Sequence, residues 1–402
     1  MDQIIDFSTC KRAHVTFGGT DRKFGVVYHG VTYMLKFSEE HAKRHDVSTS
    51  YVNNVVSEYI SSHIAASAGF PVHETVLGTY NGEIVVGCKD FRKKNSISNI
   101  EFAEYVRSKY DSKDVKRMIR LDQIYETLAD PANDIPDSLQ KESIERYWDT
   151  FVIDALVGNF DRHIGNWGFL AENNQLRLAP LYDFGSTLFP QASDIGAKDF
   201  MENPYEMFKR SLVFPSPSLI ITNEKVGKVG YYDMLASNYD QNCTEAVLRI
   251  VPRIDMQRIN MIIDETPFIT DIRKSFYKEI LSMRKMLILD RAYVRAFYKD
   301  YDIDALKRLT EGRQFTEKDL SVYLEQRNFA CERFEENERI LDYAHSAEYA
   351  IDTVLRGTKP SIDKNTLLDN QKILVESFGF NSLHVWNDIR AKMQHHEHEQ
   401  ER

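Results

Sequence analysis

The sequence predicts an α+β protein with a small β-rich N-terminal part and a larger, mostly helical C-terminal part. Short runs rich in Val, Tyr and Phe, separated by turn residues, occupy most of the first ninety residues. Apolar residues at helical spacing interrupt them once, around residues 50–68. From about residue 141 onward helical spacing predominates, with one hairpin between residues 167 and 179. We place the boundaries at residues 1–91, 92–300 and 301–402.

Composition narrows the classes of protein to consider. Hydrophobic residues make up 42% of the 402 residues, enough for a core, and the net charge of -10 argues against a broad nucleic-acid-binding surface. Four scattered cysteines fit neither a disulfide scaffold nor a CxxC metal site. No apolar run approaches the roughly 20 residues of a membrane span, and the N-terminus does not resemble a signal peptide. We therefore expect a cytoplasmic protein without membrane contact or direct nucleic-acid binding.

The N-terminal part is predicted to contain five strands and one helix. The strands are expected at His14–Phe17, Lys23–Tyr28, Val31–Phe37, Val72–Tyr80 and Glu83–Cys88. His29-Gly30 and Asn81-Gly82 are two-residue hairpin signals, and the second is of the strongest kind. The helix around residues 50–68 is expected to stop at Gly69 and Pro71.

The larger part begins with a polar region and then becomes helical. A loop with two prolines at residues 130–137 precedes a helix expected at about Lys141–Val157, which ends at Gly158. A hairpin should follow, with strands Trp167–Leu170 and Gln175–Ala179. Residues 214–218 are interpreted as a loop, and residues 301–402 as a helical extension or a continuation of the C-terminal part.

The chemistry is concentrated in two motifs on either side of the predicted hairpin. They are GNFDRHIGNWGF at residues 158–169 and LAPLYDFGST at residues 178–187. Asp161 and Asn166 are five residues apart, and Asp183 lies seventeen further on. Phosphoryl transfer needs a carboxylate to orient the attacking hydroxyl and oxygen ligands that hold Mg²⁺ against the phosphates. Protein kinases show the same five-residue offset and open the triplet DFG with the metal-binding aspartate.

Each motif alone is common, but their order and their placement around the hairpin make the combination specific. The alternative is that Asp161 and Asp183 cap turns and that Asn166 merely begins a strand. We favour a catalytic role for Asp161 and metal-ligand roles for Asn166 and Asp183, with ATP and Mg²⁺ as cofactors. His163 is assigned a positional role within its loop.

The upstream region offers the cationic group that such a site requires. Lys36 ends the predicted strand VTYMLKF, from which an ammonium reaches the α- and β-phosphates of a bound nucleotide. Glu58 on the following helix is the candidate partner of Lys36, and Glu74 is a poorer one. The alternative reading is a solvent-facing lysine and a solvated helix glutamate.

Two further segments are candidates for nucleotide contacts. The loop FGGTDRKFG at residues 17–25 includes Gly18, Gly19 and Lys23, and its backbone N–H groups suit phosphates, although it lacks GxGxxG spacing. Cys88-Lys89-Asp90-Phe91 would form the hinge, where the backbone at Lys89 and Phe91 hydrogen-bonds adenine.

The chain resembles the HipA-like kinases, bacterial serine/threonine kinases that include the HipA toxins and shorter stand-alone relatives. The resemblance rests on the run from Gly158 to Phe169, on LAPLYDFGSTL, and on GGTDRKFGVV leading to YMLKF, and it spans roughly residues 14–290. It implies a bilobal protein-kinase-like fold, with Asp161 as catalytic base, Asn166 and Asp183 as magnesium ligands and Lys36 as phosphate lysine.

The resemblance also raises questions of regulation. The toxins usually carry an extra N-terminal subdomain, whereas this chain begins almost directly at the phosphate loop, so we expect a stand-alone form. An antitoxin-like or regulatory partner is left open beside the protein substrate. Autophosphorylation of the phosphate loop switches off enzymes of the family, which makes Thr16 and Thr20 candidate phosphorylation sites.

Two other functions compete with a protein kinase. Phosphoinositide-type lipid kinases share the DRH, Asn and DFG pattern, but they should present a basic segment after Asp183 to anionic headgroups. Here Lys198, Lys209 and Arg210 are balanced by four acidic residues, so a protein substrate is favoured. A catalytically inactive scaffold is the second alternative, and the presence of all three core polar residues argues against it.

Overall fold

The chain adopts a mixed α+β fold, as predicted, in a computed structural model of the protein. The structure describes residues 4–13, 22–38, 53–92, 97–110, 119–173, 175–212, 219–220, 229–237 and 239–297. The predicted strand at residues 14–17, the loop at 214–218 and the region 301–402 lie outside these residues.

A six-stranded sheet forms the N-terminal part. Its strands are β1 (Ile5–Asp6), β2 (Lys11–Arg12), β3 (Lys23–Tyr28), β4 (Val31–Phe37), β5 (Thr75–Tyr80) and β6 (Glu83–Lys89), in the order β1-β5-β6-β4-β3-β2. Both predicted hairpins are confirmed, because β3 pairs with β4 and β5 pairs with β6 in antiparallel register. The two-residue strands β1 and β2 were not predicted, since they are too short for an alternating pattern.

The fourth predicted strand begins three residues later than expected. Val72–Tyr80 was predicted, but the sheet contains only Thr75–Tyr80 of it. Residues 71–73 instead pair with Leu181 of the C-terminal part through a parallel bridge at Val72. The apolar character of this segment therefore serves a contact between distant parts of the chain, which a local pattern does not reveal.

Helix α1 (Asn54–Ser67) packs against the six-stranded sheet on β5 and β6 and confirms the predicted helix. Most of its residues are buried, including the polar side chains of Ser57, Glu58, Ser61 and Ser62. A helix buried on several sides cannot be placed by its apolar stripe alone, because no face is reserved for solvent.

A three-stranded sheet carries the third predicted hairpin. It consists of β7 (Ser98–Glu101), β9 (Gly168–Glu172) and β10 (Gln175–Leu178), in the order β10-β9-β7, and it confirms the hairpin predicted between residues 167 and 179, with strand ends that differ by at most two residues. At Gly168 a Cβ atom would lie 2.1 Å from the carbonyl oxygen of Ile100, so the close approach of β7 and β9 requires glycine. A short parallel pair joins β8 (Ile119–Arg120) and β11 (Leu219–Ile220).

Helices make up most of the remaining described residues. They are α2 (Phe102–Lys109), α3 (Leu121–Leu128), α4 (Asp137–Val157), α5 (Asp194–Glu202), α6 (Pro204–Leu212), α7 (Tyr231–Leu235), α8 (Gln241–Ile250), α9 (Met256–Glu265), α10 (Asp271–Arg284) and α11 (Arg291–Phe297). A π-helical segment, Lys285–Asp290, joins the last two helices. None of the described helices has the length and apolar character to cross a membrane.

Helix α4 leads directly to the motif at residues 158–169. It begins at Asp137, four residues before the predicted start, because the carbonyl of Pro136 already accepts hydrogen bonds from Leu139 and Gln140. It ends as predicted, with Gly158 in the left-handed conformation at φ 67°. Trp148, the apolar residues among 151–157 and the Asp154 side chain are all buried in the C-terminal half of α4, which fixes the position from which the following loop departs.

Candidate active site

The loop after α4 is organised by the side chains of Asp154, Asn159 and Asn166. Asn159 donates from Nδ2 to Asp154 Oδ1 at 2.9 Å, and its own Oδ1 accepts the backbone N–H of Asp161 at 3.0 Å. Asn166 donates from Nδ2 to the carbonyl oxygen of Asp161 at 2.8 Å. This last bond brings together Asp161 and Asn166, and it leaves the amide oxygen of Asn166 as the atom suited to a metal.

Arg162 connects this loop to the segment that carries Asp183. Its guanidinium forms a bidentate pair with Asp154 and donates from Nη1 to the carbonyl oxygens of Asn166 and Tyr182. The group also lies 4.6 Å from the ring centre of Phe184. Sequence reasoning missed both Asp154 and Arg162; the available signal was an arginine directly after the candidate catalytic aspartate.

Asp183 has an unusual backbone conformation and a cationic partner. Its φ angle is 66°, in the left-handed region that few residues other than glycine, Asn and Asp adopt. Its Oδ1 lies 2.8 Å from Lys36 Nζ. Burial opposes ionisation, but the Lys36 ammonium outweighs it, so the pKa of Asp183 lies below its usual value. An ionised carboxylate in a strained, fixed conformation is a suitable ligand for a hard cation.

Lys36 is shared between Asp183 and Glu58. Lys36 Nζ lies 2.7 Å from Glu58 Oε2, so the predicted pairing of strand lysine and helix glutamate is present in this structure. Burial alone would lower the pKa of Lys36, but the two carboxylates hold it well above its usual value. The lysine is therefore a fixed positive charge beside the candidate metal ligand. Glu74, the competing glutamate, pairs with Lys89 instead.

The Glu58 carboxylate is fully buried and has two further donors. Its Oε1 accepts the backbone N–H of Phe184 at 3.0 Å and lies 3.0 Å from His73 Nε2. Burial would raise the pKa of Glu58, but the Lys36 ammonium and the His73 hydrogen bond outweigh it and leave that pKa well below its usual value. Sequence reasoning missed His73, because nothing near it in the chain resembles a motif.

The candidate hinge lies at the end of β6. The backbone N–H of Lys89 donates to the carbonyl of Glu74 at 2.8 Å, and the Lys89 ammonium pairs with the Glu74 carboxylate. The side chain of Lys89 therefore interacts with Glu74, and the candidate nucleotide contact at this residue is its carbonyl. The ring of Phe91 stacks on Tyr182, with centroids 5.8 Å apart, next to the DFG triplet.

The candidate phosphate loop is described only in part. Lys23 opens β3 and stands opposite Lys36 in the β3–β4 register, which brings a second cation to this end of the sheet. Gly18 and Gly19, together with the candidate phosphorylation sites Thr16 and Thr20, lie outside the described residues.

The residues present fit a divalent hard cation with a polyphosphate. Asn166 and Asp183 offer an amide and a carboxylate oxygen, and the Asp183 side chain is 39% exposed and so accessible from solvent. Lys36 supplies the positive charge that phosphate oxygens require. The site thus contains oxygen ligands, the partly buried ammonium of Lys36 and, at Asp161, a carboxylate on the adjoining loop.

Comparison with known proteins identifies relatives of this arrangement. Residues 15–228 match the family described as HipA-like C-terminal domain. Over 297 residues the chain is 38% identical to serine/threonine-protein kinase CtkA of Helicobacter pylori, covering 73% of this chain and 88% of that protein.

Two solved structures are also similar. The crystal structure of the H. pylori proinflammatory kinase CtkA superimposes with a TM-score of 0.68 and 36% identity over 75% of this chain and 100% of that one. A structure of HipA from Shewanella oneidensis MR-1, solved with HipB and operator DNA, gives a TM-score of 0.38 and 15% identity over 70% of this chain and 64% of that one.

Proposed function

The chain belongs to the family of HipA-like C-terminal domains and is a serine/threonine-protein kinase, and from this premise we propose that it transfers the γ-phosphoryl group of ATP to a protein hydroxyl with Mg²⁺ as cofactor. The observation that carries the proposal is the arrangement around Lys36. One partly buried ammonium lies within 2.8 Å of both a helix glutamate and the aspartate of a DFG triplet. Protein kinases use this pairing to orient the phosphates and the metal.

The proposed roles follow from the chemistry of each group. Asp161 accepts the proton of the substrate hydroxyl, and its loop is held in place through Asn159 and Asn166. Asn166 and Asp183 would hold Mg²⁺, which supplies charge neutralisation between the phosphates. Lys36 binds phosphate oxygens and is oriented by Glu58. These charges are in position before substrate arrives, and such preorganised electrostatics lower the barrier most.

The nucleotide is proposed to bind between the six-stranded sheet and the loop after α4. The backbone at Lys89 and Phe91 would contact adenine, while Lys23 and the loop containing Gly18 and Gly19 would contact the phosphates. This assignment makes residues 1–91 an N-lobe and residues 92–300 a C-lobe of a bilobal kinase. The ion pair between Lys36 of β4 and Asp183 supports it, because it joins the two parts at the proposed cleft.

A protein substrate is favoured over a lipid headgroup. In the segment after Asp183, Lys198 forms an ion pair with Glu202, and Arg210 with Glu206. Two of the three basic residues there are thus paired with a glutamate of the same helix, which weakens any attraction of this segment to an anionic membrane surface. The identity of the substrate, autophosphorylation, and an antitoxin-like or regulatory partner stay predictions.

The decisive experiment compares the wild type with Asp161→Asn. Purified protein is incubated with labelled ATP and Mg²⁺, alone, with a generic protein acceptor or with phosphoinositide vesicles, and the label incorporated into protein or lipid is quantified. Because a general base contributes about 10²–10⁴-fold, Asp161→Asn should lose activity by that factor while unfolding at the same temperature. Equal incorporation by both proteins would refute the assignment of Asp161. Incorporation by neither protein would favour the inactive scaffold, and incorporation into phosphoinositide vesicles alone would favour the lipid kinase.

A further inference from the structure

A buried histidine contacts the Glu58 carboxylate on the side away from Lys36. His73 lies between α1 and β5 and is 3% exposed. Its Nε2 atom is 3.0 Å from Glu58 Oε1 and 3.1 Å from Ser62 Oγ. Glu58 therefore has Lys36 on one carboxylate oxygen and His73 with the Phe184 N–H on the other.

The backbone of His73 is hydrogen-bonded to the segment that leads to Asp183. The N–H of His73 donates to the carbonyl of Leu181 at 2.9 Å, and the N–H of Leu181 donates to the carbonyl of Pro71 at 2.8 Å. These two bonds form the parallel bridge centred on Val72 and Leu181. The imidazole is thus fixed relative to residues 181–184, whereas Glu58 is carried by α1.

Loss of the imidazole would leave the carboxylate underbonded. The Glu58 side chain is 0% exposed, so water does not replace a missing donor, and Oε1 would keep only the Phe184 N–H. The carboxylate would then rotate, or move with α1, toward another hydrogen-bond donor. Either movement changes the distance between Lys36 and the phosphates, to which phosphoryl transfer is sensitive.

The same atoms also satisfy the spacing of a metal cluster. The ligand atoms of Glu58, His73 and Cys88 all lie within 4.8 Å of one another, and all three residues are buried. However, the Lys36 ammonium already occupies a carboxylate oxygen, and burial raises the pKa of the Cys88 thiol well above its usual value. A neutral thiol beside an ammonium opposes a further cation, so the cluster acts as a hydrogen-bonded network.

We propose that His73 is a positioning residue of the kinase reaction, which holds the Glu58 carboxylate against residues 181–184 so that Lys36 and Asp183 keep one relative arrangement. The inference rests on the proposed function. It assigns to the segment Pro71–His73 the task of coupling helix α1 to the chain that leads into the DFG triplet. The His73 side chain contacts Glu58 of α1, and the backbone of the segment bonds to Leu181, two residues before Asp183.

The test compares two substitutions at position 73. His73→Gln retains an N–H donor with similar reach, whereas His73→Leu fills the space without a donor. Loss of a hydrogen bond that orients a functional side chain typically lowers activity by about 10–100-fold. His73→Leu should therefore lower kcat by that factor with little change in KM for ATP. His73→Gln should stay within about threefold of wild type. His63→Leu is the matched control, because His63 lies on α1, the helix that carries Glu58, and contacts the Tyr59 carbonyl and ring. The kcat of His63→Leu should stay within about threefold of wild type.

A double-mutant cycle separates positioning from general damage. If His73 acts through Glu58, His73→Leu should cost less than about threefold in a Glu58→Gln background, since coupled sites are non-additive. Additive losses, or equal activity of His73→Leu and wild type, would overturn the proposal. Equal losses in folded His73→Gln and His73→Leu would overturn it as well.

A second readout does not depend on activity. The Phe184 N–H donates to Glu58, so its hydrogen exchange should accelerate in His73→Leu and stay slow in His73→Gln and His63→Leu. This pattern in a protein that transfers no phosphate would sink the proposed function but uphold the positioning role. Unchanged exchange at Phe184 in His73→Leu would overturn the positioning role whatever the activity. Should His73→Leu fail to fold, His73→Met replaces it as the donor-free variant in every comparison.

Discussion

Arg162 donates a hydrogen bond of 2.5 Å from Nη1 to the carbonyl oxygen of Tyr182, the residue that precedes Asp183. The same guanidinium forms a buried bidentate pair with Asp154 at the end of α4. One side chain therefore joins the helix, the loop with Asp161 and Asn166, and the segment with Asp183. The relative placement of the proposed catalytic base and the proposed metal ligand depends on this cation.

Asp154→Asn should destabilise the protein strongly. The substitution leaves the buried Arg162 cation without its counter-ion, and such a change typically costs about 3–5 kcal/mol. Denaturant unfolding followed by circular dichroism measures the difference. Arg22→Gln is the matched control: Arg22 and Glu83 form an exposed pair at 2.6 Å, with side chains 57% and 49% exposed, for which we expect less than about 1 kcal/mol. Equal losses in both variants would contradict the special role of the buried pair.

Replacing Asp183 should abolish Mg²⁺-dependent ATP turnover and leave the fold intact. Both Asp183→Asn and Asp183→Ala remove the ionised ligand, so each should lower turnover by about 10³-fold or more. Because Asn tolerates positive φ better than Ala, Asp183→Ala should be less stable than Asp183→Asn by about 1 kcal/mol. Turnover with Mg²⁺ and thermal unfolding measure the two effects. A folded variant with activity like wild type would disprove the metal-ligand role.

Glu279 should make stability fall as pH rises above 5. Burial raises the pKa of this carboxyl on α10 from 4.5 to about 7, and no described cation forms an ion pair with it. Between those pH values the folded protein holds a proton that the unfolded chain has released, so stability decreases through this window.

The matching variant is Glu279→Gln, which cannot titrate. The free energy of unfolding of Glu279→Gln, relative to that of wild type, should be about 1–2 kcal/mol larger at pH 8 than at pH 5. This range allows for partial exposure of the side chain. Urea unfolding at both pH values tests this, with Glu265→Gln at the exposed end of α9 as control. The same pH dependence in Glu279→Gln and wild type would refute the assignment.

Arg284 should contribute to stability by binding the ends of two helices. Its buried guanidinium donates to the carbonyls of Ala155 and Leu156 in α4 and to that of Ser211 in α6. Burial lowers the pKa of Arg284 to about 10, which leaves it charged at neutral pH, and a cation at a helix C-terminus is favourable. Arg284→Met should therefore lower the free energy of unfolding by about 2–4 kcal/mol. The control is Arg258→Met at an exposed position, which should change it by less than about 0.5 kcal/mol. Thermal unfolding of both variants provides the comparison.

Autophosphorylation at Thr16 or Thr20 should lower ATP affinity. A phosphate adds about -1.5 to -2 charge, which repels the phosphates of a nucleotide bound at the same loop. Mass spectrometry after incubation with Mg²⁺ and ATP locates the modification, and titration of each form with ATP measures its affinity. Thr16→Ala and Thr20→Ala identify the site. An active enzyme modified at neither threonine, or equal affinities of the two forms, would end the hypothesis.

Local interactions were enough to predict much of the framework. The turns at His29-Gly30 and Asn81-Gly82 have positive φ angles at all four residues, as their residue types indicate. Gly158 ends α4 for the same local reason. The α4 start was missed because its polar first turn shows little apolar periodicity, although backbone bonds to Pro136 begin the helix there.

The candidate site divides in a similar way. Asp161, Asn166 and Asp183 were predicted from their residue types, order and spacing around the hairpin, since the loop and the hairpin between them are short and locally encoded. Lys36 followed from its place in the strand order. The sequence favoured Glu58 over Glu74 as the partner of Lys36, and in the structure Glu58 is buried against Lys36 while Glu74 pairs with Lys89.

Only the tertiary structure decided which polar residues support that site. His73 contacts Glu58 and bonds through its backbone to Leu181, far away in the chain; Glu58 and Phe184 are themselves separated by 126 residues. Turns and helix ends depend on backbone contacts within a few residues, so residue type at those positions predicts them. A buried hydrogen bond or ion pair depends instead on which distant surfaces meet and exclude water, because exclusion of water makes the pairing of polar groups obligatory.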